Sequence, residues 1–379
     1  MENKICVYAI CKNESQFVEK WAKSMLEADS VVVLDTGSTD DTVERLKSFG
    51  ITVEQKIIEP WRFDVARNES MKLIPDDCNI LVCTDLDEIL EPGWAKVLRE
   101  RWIDGVHKRC WYKYVWSHMP DGSNGRIFWY NKIHVKGYEW QYPVHELLTL
   151  IPGYEKKVDG LKDLYIDEDG FKLHHYPAPK TSRSTYLPLL ELRVKEYPLD
   201  VSGWHYLTHQ YFYEAKYENC IECGKKTLEL FDKELTPIDK SNLCLFIGYS
   251  YKALKLYEEA LQWFYKGITE DKTYIENYLE VADLYLFSID KKDKYDLAYN
   301  ILKKCFKNSY RHYSWLEKDD SFTYRPYDLL SIAAYYSGKK QESLYYAFLA
   351  RENNKADKRL EDNVNIIMEN LGKNNNFIL

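Results

Sequence analysis

The apolar run Ile80-Leu81-Val82-Cys83 leads through Thr84 into Asp85-Leu86-Asp87-Glu88, so three carboxylates fall within four positions. Carboxylates at the end of a buried strand either cap it in solvent or hold something positive. Asp85 and Asp87 are two apart: a continuing strand would put them on one face, and a turn would splay them. Two carboxylates and a diphosphate together make an oxygen-rich site for a hard divalent cation, Mg or Mn. A solvated strand end accounts for one acid, but not for this run together with Asp35, which closes a second apolar run in VVVLDTGSTDDT. There Gly37 suits a strand-to-helix turn and Thr39 or Asp40 an N-cap, while Asp35 stands where a base or ribose could reach it.

The elements that must position these groups follow from pattern. Between residue 4 and about residue 146, Val-, Ile- and Leu-rich runs alternate with helical segments: ICVYAI, a helix over 17–27, SVVVLDT, a helix over 41–49, ITVEQKI, a helix over 64–73, and NILVCTD. This alternation predicts a Rossmann-like α/β domain, a mostly parallel sheet with helices on both faces. Ligands of such sheets bind beyond the carboxyl ends of the strands. Polar residues stand at those ends: Cys11-Lys12-Asn13-Glu14, residues 35–40 and residues 85–88.

From about Tyr197 the pattern is helical only. Cys244, Ile247, Gly248, Tyr251, Ala260, Phe264 and Gly267, followed by Tyr278, Val281, Ala282 and Tyr285, repeat small and aromatic residues at an offset of 34, the tetratricopeptide period. Trp204, Leu207, Tyr211 and Cys220 make an earlier set, and a weaker copy begins near Leu329 with Ala333 and Tyr336. Lys291 to Lys294, KKDK, reads as a lengthened loop. Each hairpin has an apolar face that it cannot bury alone, which predicts stacked helix pairs. The expected domains are 1–195 and 196–379.

Composition narrows the function classes. A chain of 379 residues with 45% hydrophobic side chains suits two globular domains. A net charge of -8 and the lack of a basic arm disfavour nucleic acid as partner. No run approaches membrane-span length and MENKICVYAICKNES lacks a leader pattern, so a cytoplasmic protein is expected. Nine cysteines are scattered without paired zinc spacing; Cys220 and Cys223 form a CxxC inside a helical pattern, where packing is the better reading. The 11 Trp and 32 Tyr read mainly as packing residues, with RCWYKYVWSHMPDG offering flat rings to a sugar or peptide.

ICVYAICKNES, VVVLDTGSTDDT, FDVARNESM and LVCTDLDEIL, in this order and spacing, resemble the GT-A fold of family 2 glycosyltransferases over roughly the first half of the chain. The resemblance implies inverting transfer of a hexosyl or N-acetylhexosaminyl group from a nucleotide diphosphate sugar, a UDP-sugar, with Mn or Mg at a D-x-D motif. It places Ile10, Asn13 and Glu14 in the nucleotide pocket, Asp35 at the base, Arg67 at the nucleotide, Asp85 at the ribose or metal, and Asp87 on the metal as a catalytic residue. Inversion needs a base on the sugar face opposite the diphosphate. Related members carry a W…VHE segment in the region of HVKGYEWQYPVHELL, so Glu146 is the expected base, with His145, Glu139 and Asp121 as rivals. A histidine from KLHHYPAPK is expected to return to the metal, and His174 is preferred to His175.

A family 2 domain followed by helical repeats resembles, more narrowly, the bacterial enzymes that glycosylate proteins and peptides, including bacteriocin S-glycosyltransferases. That likeness implies a protein, peptide or glycan acceptor, and a homodimer through the repeats is a further expectation. The competing function is a peptide-binding repeat scaffold on a degenerate catalytic fold; Asp35, Arg67, Asp85 and Asp87, all intact, speak for the enzyme.

Overall fold

Strand β1 (Ile5–Cys11) is buried along its whole length because it runs inside the sheet with both faces covered. Ile5, Val7, Ala9 and Cys11 face one apolar cluster, while Cys6, Tyr8 and Ile10 face the other side. This period of two explains the unbroken apolar run in the sequence. The computed structural model describes residues 3–119, 122–178, 186–312, 314–318 and 320–374, and the chain divides into the units Met1–Glu196 and Tyr197–Leu379.

In the first unit the order continues with α1 (Ser15–Met25), β2 (Ser30–Asp35), α2 (Thr42–Ser48), β3 (Thr52–Gln55), α3 (Phe63–Met71), β4 (Ile80–Cys83), β5 (Glu88–Leu90) and α4 (Trp94–Arg101). Then come β6 (His107–Val115), β7 (Ile127–His134), β8 (Tyr138–Gln141), β9 (Leu147–Leu150), α5 (Glu155–Val158), β10 (Lys162–Ile166), β11 (Lys172–His175) and α6 (Tyr186–Glu196). The main sheet runs β3-β2-β1-β4-β7-β6-β11-β5, with β10 paired to β6, and β8 and β9 form a separate hairpin.

β1 pairs in parallel with β2 and β4, as the alternating pattern predicts. Beyond β4 the sheet is mixed: β7 joins β4 and β6 antiparallel, and β5 joins β11 antiparallel. β10 and β11 both join β6 in parallel, so most pairings are parallel, as expected, and the antiparallel ones are confined to β5 and β7. β5 escaped the sequence reading because three residues are too few to show a period.

Helices α1 and α4 cover one sheet face with Trp21, Met25, Trp94 and Leu98. Each large apolar side chain buried there contributes roughly 1.5–3 kcal/mol. The Trp21 indole N–H is satisfied by Thr84 Oγ1 at 3.0 Å, which ties this core to the end of β4. On the other face α3 packs Ala66 against Ile10 and Leu34, and Trp140 of β8 covers Tyr8 and Cys83.

The second unit is helical. It comprises α7 (Val201–Tyr213), α8 (Tyr217–Leu230), α9 (Pro237–Ala253), α10 (Tyr257–Glu270), α11 (Ile275–Phe287), α12 (Lys294–Asn308), α13 (Arg325–Tyr336), α14 (Lys340–Asn353) and α15 (Lys358–Asn374). Antiparallel pairs stack in tetratricopeptide-like fashion, and the small residues of the repeat have a steric reason. A Cβ on Gly248 would overlap the ring of Phe264, and one on Gly267 would lie 2.5 Å from Asn277. Leu329 and Ala333 of the fourth copy are buried in α13. All nine cysteines are buried free thiols; Cys220 and Cys223 pack inside α8. No helix among the described residues is long and apolar enough to cross a membrane.

Candidate active site

The strand ends that carry the polar residues meet at one edge of the first unit. The loop after β1 is zipped to the loop after β2: Asn13 N–H donates to Ser38 Oγ at 2.8 Å, Thr39 N–H to Asn13 Oδ1 at 2.7 Å, and Glu14 N–H to Thr42 Oγ1 at 2.8 Å. Asn13 takes a left-handed φ of 56° to do this, a conformation asparagine tolerates better than most residues. Ile10 is buried in the apolar cluster with Leu34 and Ala66, so its side chain supports the loop from below.

Asp35, expected to face the base, is 0% exposed. Its Oδ1 accepts from Ser38 N–H at 3.0 Å and from Gln55 Nε2 at 3.2 Å, and its Oδ2 accepts from the Ser38 hydroxyl. Burial opposes ionisation, but the Ser38 bonds outweigh it and hold the carboxyl below its usual range. In this arrangement Asp35 builds the Asp-Thr-Gly-Ser turn instead of projecting from it.

The D-x-D pair is splayed by a turn between β4 and β5, closed by Glu88 N–H donating to Asp85 C=O at 3.0 Å and Asp85 N–H donating to Glu88 Oε2 at 2.9 Å. The two aspartates therefore face different partners. Asp85 Oδ1 accepts from Arg67 Nη2 at 2.8 Å and Oδ2 from Lys132 Nζ at 3.1 Å. Burial works against the charge of Asp85, but Arg67 and Lys132 prevail and hold its carboxyl far below the usual range. Asp87 Oδ2 instead lies 3.2 Å from His175 Nε2.

Arg67, expected to reach a nucleotide, is 4% exposed and spends its guanidinium inside the protein. Besides Asp85, its Nε donates to Glu146 Oε1 and its Nη1 to Cys83 Sγ at 3.2 Å. It is a strut joining α3, the end of β4 and the loop before β9. Glu146 Oε2 has no hydrogen-bond partner among the described residues, which leaves that oxygen for another group.

Strand geometry separates His174, the expected metal ligand, from Asp87. Successive residues of β11 point to opposite faces, so only one of the two histidines can meet Asp87, and it is His175. His174 Nε2 instead lies 3.2 Å from Glu91 Oε1, and its Nδ1 lies 3.1 Å from His118 Nε2. Burial disfavours the charged form of His175, yet the bond to Asp87 raises its pKa overall. Among the base rivals, His145 is exposed beside Glu146, Glu139 lies on β8 opposite Thr149, and Asp121 lies outside the described residues.

The sequence reading missed Lys132 and the role of Glu88. Lys132 is buried on β7, and its Nζ also lies 3.1 Å from Glu88 Oε1, which accepts from the Tyr114 hydroxyl at 2.7 Å. A lysine inside a buried strand pattern is itself a signal, since such a residue is rarely buried unless paired. Burial raises the Glu88 pKa in spite of Lys132, and burial with the charges of Asp85 and Asp87 pushes Glu14 up to about 8. Glu14 Oε2 is buried without a hydrogen-bond partner among the described residues. Glu14 and Glu88 are thereby held toward their neutral, protonated forms.

Among the described residues no three His, Cys, Asp or Glu side chains converge into a ready metal cage. Asp87 and His175 offer one carboxylate and one imidazole, a partial donor set that a diphosphate could complete. A cavity of about 340 Å³ adjoins Asp87, between Gln16, Phe17 and Lys20 of α1 and Tyr176 and Pro177 after β11.

Residues 6–146 match the family model of glycosyl transferase family 2. The first unit carries a family 2 glycosyltransferase domain. The matched segment of this glycosyltransferase domain ends on Glu146 and includes Asp35, Arg67, Asp85 and Asp87, while His175 and α6 lie beyond it. No curated protein matches the chain. Solved structures similar to it include MamA, at 17% identity over 45% of this chain and 86% of that one with a TM-score of 0.34. Another is TTC0263, a thermophilic TPR protein of Thermus thermophilus, at 17% identity over 49% and 90% with a TM-score of 0.35.

Proposed function

We propose that the first unit transfers a hexosyl or N-acetylhexosaminyl group from a nucleotide diphosphate sugar, a UDP-sugar, to a protein, peptide or glycan with inversion at the anomeric carbon. The observation that carries this reading is the division of labour inside Asp85-Leu86-Asp87. Asp85 is neutralised by Arg67 and Lys132, whereas Asp87 faces a histidine and a cavity. Asp87 and His175 are the residues that would hold Mn or Mg. A divalent cation there would offset the charge that grows on the leaving diphosphate without needing a proton.

The chain's own residues do the rest. Asn13, Glu14 and the turn built by Asp35 shape the floor for the nucleotide, with Ile10 beneath them. Arg67 holds Glu146 at Oε1, and Glu146 takes the acceptor's proton at Oε2 as the acceptor attacks. The repeats recognise the acceptor; support comes from exposed aromatic side chains in the second unit, among them Tyr213, Tyr265 and Tyr345. Free buried thiols support a reducing, cytoplasmic setting.

The test is a panel of nucleotide sugars, scored by donor hydrolysis and by thermal shift with the matching nucleotide diphosphate, with and without Mn. One donor is expected to stand clear, and its diphosphate to raise Tm only with the cation present. A panel without turnover or shift would favour a repeat scaffold on an inactive fold.

A further inference from the structure

The loop that carries Glu146 joins β8 to β9, and two of its residues, Tyr142 at φ 84° and His145 at φ 49°, occupy the left-handed region. Neither is glycine, so the surroundings must hold the loop in this shape. From one side α3 does so. Asn68 exchanges two 2.8 Å hydrogen bonds with the backbone of Trp140, and Phe63 N–H donates to Pro143 C=O at 3.0 Å.

From the other side the hold comes from α6, which lies wholly beyond the family match. Arg193 is 0% exposed. Its Nη1 donates to Val144 C=O at 2.9 Å and to His145 C=O at 2.7 Å, and its guanidinium lies 3.8 Å from the centroid of the Tyr142 ring. Two turns earlier on α6, Tyr186 meets the His145 ring edge-on at 5.9 Å. Three successive carbonyls before Glu146 are thus satisfied, one by α3 and two by a single guanidinium. A buried cation bonded to backbone oxygens fixes the path of the chain more than it fixes any one side chain.

We infer that Arg193 is a positioning residue for the transfer reaction: it sets the backbone before Glu146, and so the place of the carboxylate whose other side is held by Arg67. The inference rests on the reading of Glu146 as the base. Lysine at 193 keeps the charge and can still donate to carbonyls, but it lacks the planar guanidinium that stacks on Tyr142 and fixes the donor's place. A displacement of the carboxylate of about 1 Å is enough to cost rate heavily while donor binding, which uses other loops, is spared.

The experiment is a double-mutant cycle on donor hydrolysis, using whichever of UDP-glucose and UDP-N-acetylglucosamine the parent turns over. Arg193→Lys is expected to lower kcat by about 10- to 100-fold with donor KM within about twofold. In a Glu146→Gln background the same change is expected to have almost no further effect, because Arg193 acts through Glu146. If Arg193→Lys does not fold, Tyr142→Leu replaces it. That variant removes the ring under the guanidinium, leaves both carbonyl bonds, and is expected to show a smaller kcat loss with the same non-additivity. Effects that multiply with Glu146→Gln, or a kcat at the parent level, overturn the positioning role alone. A parent-like Glu146→Gln, or a parent with no turnover, overturns the reading beneath it and this inference as well.

Discussion

His175 Nε2 lies 3.2 Å from Asp87 Oδ2, while His174, its neighbour in the chain, turns to Glu91 at the same distance on the other face of β11. One histidine is therefore tied to the D-x-D turn and the other is not. His175→Ala is expected to reduce donor turnover at least tenfold, the scale of a lost charge-bearing contact of about 1.4 kcal/mol or more. His174→Ala should stay within about threefold. Steady-state kinetics on the two variants decide it, and equal losses would refute the assignment.

Asp87 stands in a turn, outside the apolar clusters. Asp87→Ala is expected to lower turnover by at least about 10²-fold, as loss of preorganised charge stabilisation does elsewhere. Tm should change little, because the residue holds no core contact. Exhaustive chelation of the parent should produce the same loss, reversed by Mn. Activity that persists through chelation rules out the cation.

Lys132 serves two acids at once, Asp85 at 3.1 Å and Glu88 at 3.1 Å. Lys132→Met would leave Glu88 buried with only the Tyr114 hydroxyl and the Asp85 N–H as donors. Removing one partner of a buried ion pair costs about 3–5 kcal/mol, and denaturant titration of the first unit's transition should show it. Adding Glu88→Gln should recover part of the loss. A cost below about 1 kcal/mol would mean that Glu88 is neutral in the folded protein.

Glu276, in the second unit, offers a pH test away from the site. Burial pushes its carboxyl from 4.5 up to about 7. The folded pKa is raised, so the unfolded chain gives up this proton first. The contribution to stability is full below about pH 4.5 and is lost as pH rises to about 7. At 1.36 kcal/mol per unit the loss is at most about 3.5 kcal/mol. Glu276→Gln keeps an acceptor for Lys318 N–H and should remove that slope, raising Tm at pH 8 while leaving it nearly unchanged at pH 4. A slope that survives the substitution places the proton elsewhere.

Periodicity and motif order determined much of this protein by themselves. The Val-rich runs of β1, β2 and β4 had to be buried on both faces, and their polar ends had to meet at one edge. The offset of 34 between Gly248 and Ala282 required stacked helix pairs. These are local or nearest-neighbour properties, which a sequence records directly. Partner choice inside the site is different, because it depends on residues brought together from distant positions. That Asp85 takes two cations and Asp87 a histidine follows from β7 and β11 lying in the same sheet as the turn. His175 instead of His174 followed from the register of β11 against β5, and no spacing encodes register. Arg67 and Asp35 were expected to face a nucleotide, but the polar atoms of their side chains are bonded inside the protein. Only the packing of α3, β2 and β4 could decide that, since a charged side chain points outward or inward according to which partners the fold supplies.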